Sequence, residues 1–419
     1  MARSTSWMYS IIPISAVSGG LGIILPLYIL ELGGTVFNVG VAVALFELVS
    51  IPASIFWGDL TDRLTRTKVF IIFSILGTIP ILLIFYLVAF VPVVESVYGL
   101  YAFIATASSP AINILIMSGR VGRALPKHFS RYSVFSIMGS FAGMLPGLFL
   151  NQDLIGVYLL IIMSFNIIAL IVAMFLIKTT HREQVRRKNI TAVGESFAVL
   201  NQLSHTPFIL TSTRLLERIR RRLSDERVRN IYALLATIAL FNLGMYLFNS
   251  SYIPYLRGQS LSYSDIFLIN IINSAAQLLV YGVFIALVRK INLGRYYKAA
   301  TVFRTIGYAM TFVPFLLIDG GFLYLNIAGY AITGLAYAMW NVTSSVLLYT
   351  QIRKLGKGHY IGVWVALLGF SAVIGSLFSG IMSSYVGYNA TFSLSIIAII
   401  GSLIVFARYE GAIVSEKPI

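Results

Sequence analysis

Apolar residues gather along this chain in long runs, and the polar residues gather in the short stretches between them. Twelve runs reach about twenty residues, the length that crosses a hydrocarbon core of roughly 30 Å at about 1.5 Å per residue. They cover residues 8–30, 37–57, 69–90, 97–117, 129–150, 155–177, 231–255, 266–288, 299–318, 322–348, 360–386 and 390–407. Each predicts a membrane-spanning helix. The first has only Arg3 ahead of it and no small-residue cleavage site before Glu31, so it reads as a retained helix rather than a removed signal peptide.

Composition places the chain in the same class. Of its 419 residues 58% are hydrophobic and 11% charged, against roughly 45–50% apolar and ~25% charged in soluble domains. No water-soluble surface can be built from that. The net charge of +16 would suggest acidic partners in a soluble protein, but alternate loops sort it. Arg3, Arg63, Arg66, Lys68, Arg120, Arg123, Lys127, Arg131, residues 178–229, Arg289, Arg295, Lys298, Arg353, Lys357 and Arg408 fall on one side. Glu31, Glu95, Asp153, Asp265 and Asp319 fall on the other, with Arg257 as its single base. The positive-inside rule then puts both termini and the 178–229 linker in the cytoplasm of a multi-pass cell-membrane protein. Topology accounts for the basic surplus, and nucleic-acid binding is not expected.

With no cysteine there is no disulfide framework, thiolate metal site or cysteine nucleophile. His128, His181, His205 and His359 all lie in polar stretches, outside the cores of the runs, so a buried His-ligated metal is not expected, and no cofactor is implied.

The two halves repeat at an offset of about 228 residues, as from Pro26 to Pro254. Asn38 opens the second run and Asp265 the eighth, both suited to capping a helix start. Arg63 answers to Arg289, and Gly139 and Gly143 in the fifth run to Gly369 and Gly375 in the eleventh. These coincidences predict an all-α membrane protein of two pseudo-symmetric six-helix bundles, residues 1–177 and 230–419. The connector 178–229 carries Leu215, Leu216, Ile219 and Leu223 on one helical face among Arg214, Arg218, Arg221 and Arg222. That pattern predicts a surface helix lying on anionic headgroups.

Between the second and third runs the chain reads Gly58-Asp59-Leu60-Thr61-Asp62-Arg63-Leu64-Thr65-Arg66-Thr67-Lys68. This resembles the signature loop of the major facilitator superfamily, G-x-L-[AS]-D-R-x-G-R-[RK], at Gly58, Leu60, Asp62, Arg63 and Arg66. Thr65 replaces the usual glycine and Thr67 a usual basic residue. The second-half loop keeps Gly294 and Arg295 but has no acid. The resemblance implies a transporter of twelve helices in which Asp62 engages the start of the eleventh helix, near 357–360, and favours the state closed to the cytoplasm. Physically, a carboxylate at the positive end of a helix, held by Arg63 and Arg66, is a latch of about 1 kcal/mol. Proton-driven members often carry an Arg in helix four, which is absent here. Drug antiporters often carry G-P-x-x-G-G in helix five, where this chain has Gly143-Met144-Leu145-Pro146-Gly147.

Charge at mid-bilayer costs about 2.5–3.5 kcal/mol or more, so each instance asks for a reason. Glu47 is the only acid within any run, and it shares a face with Ser50, Ser54 and Gly58. It is the candidate proton site, with a hydrogen-bonded structural role as the alternative. Arg304, about two turns into the ninth helix, is expected to snorkel toward the headgroups, with an anion-binding or helix-packing role as the alternative.

Four helices carry small or polar stripes: Ser15, Ser18 and Gly22; Thr106, Ser109 and Asn113; Asn242, Tyr246 and Asn249; Tyr337, Asn341 and Ser345. Helix eight adds Asn270, Asn273 and Gln277. A single stripe is ordinary packing. Stripes on helices one, four, seven and ten predict a shared cavity, and the same helices line the path in the family that the chain resembles. Such a cavity is polar yet almost uncharged, which fits a neutral polar or amphipathic small molecule. The leading reading is a secondary transporter, with proton-coupled efflux of amphipathic compounds ahead of uptake of a sugar-like metabolite. The chain has no G-x-x-x-x-G-K-[ST] loop for nucleotide. An intramembrane enzyme would need a nucleophile with a base, a metal site or paired acids, none of which is found, and a channel lacks a filter-like loop or charge ring.

Overall fold

The computed structural model describes residues 6–64, 66–118, 125–151, 154–177, 226–287, 292–312, 321–355 and 359–414. Among them the regular structure is helical throughout. The spans are α1 (Ile11–Glu31, entered through a 3-10 turn Ser6–Ser10), α2 (Val36–Leu64), α3 (Thr67–Leu87) and α4, made of Val91–Thr106 and, past Ala107, Ser108–Ser118. They continue with α5 (Leu125–Met144, followed by the 3-10 turn Leu145–Phe149), α6 (Ile155–Leu176), α7 (Glu226–Gly258) and α8 (Tyr263–Leu287). Then come α9 (Leu293–Phe312), α10 (Gly321–Leu355), α11 (His359–Tyr385) and α12 (Tyr388–Val414). Eleven of these are long and apolar enough to cross a membrane. The remaining one, α9, starts earlier than its apolar run and takes in Arg295 and Lys298, while the end of that run, 313–318, is outside the described residues. Helices outrun their apolar stretches elsewhere as well, since a polar turn in water continues the same backbone ladder; α7 begins inside the segment expected to be linker.

The expected caps at Asn38 and Asp265 act from the third helical position rather than the first. Thr35 donates its backbone N–H (2.8 Å) and its hydroxyl (2.9 Å) to Asn38 Oδ1. In the second half Ser262 does the same to Asp265 Oδ2 (3.2 and 2.6 Å), and the Asp265 N–H returns a bond to the Ser262 hydroxyl at 3.1 Å. The second is the reciprocal capping box, and the first shares its N3 side chain reaching back to the cap at the equivalent place.

Packing repeats in the same way. In the first half α1 lies on α5 and α6, α2 on α4, and α3 on α4 and α6; in the second α7 lies on α11 and α12, α8 on α10, and α9 on α10 and α12. Gly139 and Gly143 bring the α5 backbone onto α1, where a Cβ would overlap the carbonyl oxygens of Ile12 and Ala16. Gly375 brings α11 onto α7 beside Tyr246 and Leu243, but Gly369 meets Ile51 of α2, so only one of the paired glycines keeps its counterpart's role. Serines seal the second half: Ser251 binds Ser379, Ser383 binds Ser251 and Thr391, and Ser395 donates to the Gly244 carbonyl. Such bonds hold helices together where lipid provides no hydrophobic drive between them.

The halves meet through α2 against α11 and α5 against α8. At the end where the acidic loops lie, Tyr263 donates to Glu31 Oε2 at 2.8 Å and Ser264 to the Leu148 carbonyl at 2.7 Å, both across the two halves. The Arg257 guanidinium lies 4.7 Å above the Tyr263 ring. Gly147, in the turn that follows α5, packs beneath the Phe267 ring of α8. The surface helix expected in 178–225, the loop at Arg289 and residues 356–358 lie outside the described residues.

Candidate substrate site

Glu47 lies half-buried in the middle of α2, on the face turned to the other half. Tyr246 of α7 donates its phenol to Glu47 Oε1 at 2.7 Å, a hydrogen bond that joins the two halves in the membrane interior. A carboxylate in that setting needs such a donor, because lipid and helix backbone offer none to spare. Tyr98 of α4 and Tyr337 of α10 lie within electrostatic reach of the same carboxylate. Phe46 stacks on Tyr98 with centroids 4.8 Å apart, and Tyr101 lies parallel to Tyr98 at 5.9 Å.

The second half carries the amides. Asn273 donates to the Tyr330 carbonyl (2.7 Å) and to the Thr333 hydroxyl (3.0 Å), and Gln277 donates to Asn273 Oδ1 at 2.7 Å. These tie α8 to α10. Tyr281 donates to Asn341 Oδ1 at 3.2 Å, and Tyr308 to Asn249 Oδ1 at 3.4 Å. Every amide here has a protein partner, so a solute would exchange bonds with a network already satisfied.

Arg304 overturns the snorkelling expectation. It is 3% exposed, donates to the Thr333 carbonyl at 2.8 Å, and lies 4.6 Å over the Tyr308 ring. The reason is local: Gly307 and Gly329 let α9 and α10 approach closely, so the side chain turns inward between them. Its Nε has no hydrogen-bond partner.

Other stripe residues divide between packing and exposure. Asn242 is buried and donates to the Leu368 carbonyl of α11 at 2.9 Å. Ser15 is buried against Ser136 of α5 at 3.0 Å. Both therefore serve helix contacts, while Ser18, Gly22, Ser109 and Asn113 are exposed. The stripe pattern missed Tyr98, Glu31 and Tyr263. Tyr98 looks like any core aromatic in the sequence, and the other two stand at helix ends, where charge and phenol are commonplace.

The profile of the Major Facilitator Superfamily matches residues 8–357. The chain belongs to the major facilitator superfamily. Among curated proteins none matches it. Solved structures of similar fold include a POT family transporter in complex with 5-aminolevulinic acid, at 12% identity over 98% of this chain and 96% of that one, with a TM-score of 0.70. The peptide transporter POT in complex with sulfate is 14% identical over 100% and 98%, with a TM-score of 0.69. The nucleoside transporter NupG is 13% identical over 100% of both chains, with a TM-score of 0.68. At these identities the likeness is one of fold.

In this major facilitator protein the signature segment continues α2 through Leu64. Gly58 is half-buried and Arg66 exposed. Arg63 pairs with Asp59, one turn earlier, at 2.8 Å, with the two side chains 72% and 58% exposed. The Asp62 side chain lies outside the described residues. Lys68 caps α6 through the Met174 carbonyl at 2.6 Å, a favourable place for a cation.

Proposed function

We propose that this chain is a secondary active transporter that moves a small organic solute across the cell membrane by alternating access, with Glu47 as its proton site. The observation that carries the reading is the Tyr246–Glu47 bond, which spans the halves at mid-membrane. An ionised carboxylate accepts a charge-assisted bond that a protonated one gives up. The charge on Glu47 is thereby tied to whether the halves are joined, which is what coupling requires. The membrane acid stands alone, so one proton per cycle is the natural stoichiometry.

Glu47→Gln keeps an oxygen for Tyr246 but cannot take up a proton. Reconstituted vesicles of this variant are expected to lose gradient-driven accumulation at least tenfold and to retain exchange of substrate across the bilayer when substrate is supplied well above its binding constant. Unchanged active transport would remove Glu47 from the mechanism.

Export is the direction we propose. Support comes from the turn Gly143-Met144-Leu145-Pro146-Gly147, which joins α5 to α1 on one side and to α8 on the other, at the position where drug antiporters carry a glycine-proline pattern. The orientation proposed from the loop charges has both termini and the 178–229 linker in the cytoplasm, the linker on anionic lipid and the Asp62 latch near the start of α11. The amide network of Asn273, Gln277 and Asn341 favours a second reading, uptake of a sugar-like metabolite that bonds to amides. Accumulation in everted vesicles in exchange for protons leaving an acidic lumen supports export, and accumulation only in right-side-out vesicles under an inward proton gradient supports uptake.

A further inference from the structure

The surroundings of Glu47 point to a class of solute. Tyr246 donates to this one carboxylate at 2.7 Å, and two further phenols on two other helices, Tyr98 and Tyr337, lie within electrostatic range of it. Their rings are held in place from behind. Phe46 stacks on Tyr98 at 4.8 Å, with Tyr101 parallel beyond it, and Trp340 lies 6.1 Å from Tyr337. A rigid aromatic wall around a single negative charge is the surface that attracts an organic cation. The carboxylate meets the charge, and ring faces meet the polarised C–H groups around it, an attraction that grows as water is excluded. A neutral solute that displaced the Tyr246 hydroxyl would leave the carboxylate's charge unanswered, and an anion would be repelled.

Arg304 sets the limit on charge. It is buried between α9 and α10, where it donates to the Thr333 carbonyl one turn before Tyr337, and Glu47 is the only acid inside the apolar runs. A second positive charge on the Tyr337 side would face the guanidinium with no acid to answer it.

We propose that Glu47, Tyr98, Tyr246 and Tyr337 form a recognition site for a monovalent amphipathic organic cation, an inference that rests on the carrier reading above and narrows its substrate. The cation takes the place of the Tyr246 hydroxyl on the Glu47 carboxylate, and its apolar groups lie against the rings.

The test uses two ions of nearly equal size and shape and opposite charge, tetraphenylphosphonium and tetraphenylborate, bound at equilibrium to the purified full-length protein with detergent-only controls. The phosphonium is expected to bind at least tenfold more tightly than the borate. Glu47→Gln should abolish that preference, and Tyr98→Leu should weaken phosphonium binding several-fold with an unchanged elution profile on size exclusion. Equal binding of the two ions, binding of neither, or a preference that survives Glu47→Gln overturns the cation site. If Glu47→Gln does not fold, Tyr98→Leu decides alone, and unchanged phosphonium affinity in it is equally fatal. Counterflow of neutral solutes in vesicles separates the two readings: a protein that exchanges them without any preference for charge sign keeps the carrier and loses the cation site.

Discussion

Gly40→Val is expected to push the two halves apart at their acidic end while leaving each half folded. Gly40 of α2 meets Gly380 of α11 backbone to backbone. A Cβ on Gly40 would fall 2.8 Å from the Gly380 Cα and 2.8 Å from the Ser376 carbonyl oxygen, and one on Gly380 would fall 3.2 Å from the Gly40 Cα. Backbone cannot swing aside as a side-chain end can, so relief requires the helices to separate. The contact lies between the halves, so the cost of about 1–3 kcal/mol falls on this state alone. That is a shift of roughly 5–150-fold in the balance between states. The chain has no cysteine, so Ser264→Cys, placed where the halves touch, supplies a single reactive thiol. Its reaction with a membrane-impermeant maleimide should be at least five times faster in the Gly40→Val background. Tyr263→Phe, which removes the hydroxyl that Glu31 accepts, should move the rate the same way by a smaller factor. An unaltered rate in Gly40→Val would mean that the α2–α11 contact does not govern access at this end.

Gly143→Leu is expected to abolish folded protein instead of redistributing states. A Cβ at Gly143 overlaps the Ala16 carbonyl, and Gly139, one turn earlier, does the same to Ile12. Tyr158 of α6 donates to the Gly143 carbonyl at 2.8 Å, so three helices of one half converge here. This contact is internal to the half and persists however the halves move, so no alternative state avoids the clash. Gly143→Ala alone should cost about 3 kcal/mol, read as a lower melting temperature in fluorescence-detected size exclusion, and the leucine should leave no monodisperse peak. Gly282→Ala is the control. Its Cβ would meet nothing within 4 Å, and its melting temperature should match that of the unaltered protein. A stable, monodisperse Gly143→Leu would show that α1 and α5 can part without loss of the fold.

These two glycines look alike in the sequence, each a small residue in an apolar run, and only their neighbours separate a folding role from a conformational one. The same ambiguity accounts for the stripe residues. Asn242 and Asn273 both read as cavity polar groups, yet Asn242 is spent on the Leu368 carbonyl and Asn273 on the Tyr330 carbonyl. A membrane helix presents polar groups for packing and for solute with the same residue types, so spacing alone does not sort them. Arg304 failed for a related reason. Snorkelling depends on depth, which the sequence reports, and on whether neighbouring backbones leave an inward path, which Gly307 and Gly329 create only when α9 and α10 are together.

The class of the molecule, its count of helices and its doubled plan follow from local chemistry. Runs of apolar residues must be helical in lipid, and their length, their loop charges and the polar helix starts at Asn38 and Asp265 can each be read within a few tens of residues. The signature segment and the solitary acid at position 47 are legible for the same reason, since a rare residue in an apolar run stands out wherever it points. Tertiary structure alone decided what that acid meets. Tyr246 is 199 positions away in sequence, on a helix of the other half, and no local pattern encodes a distance that closes only when the two bundles pack.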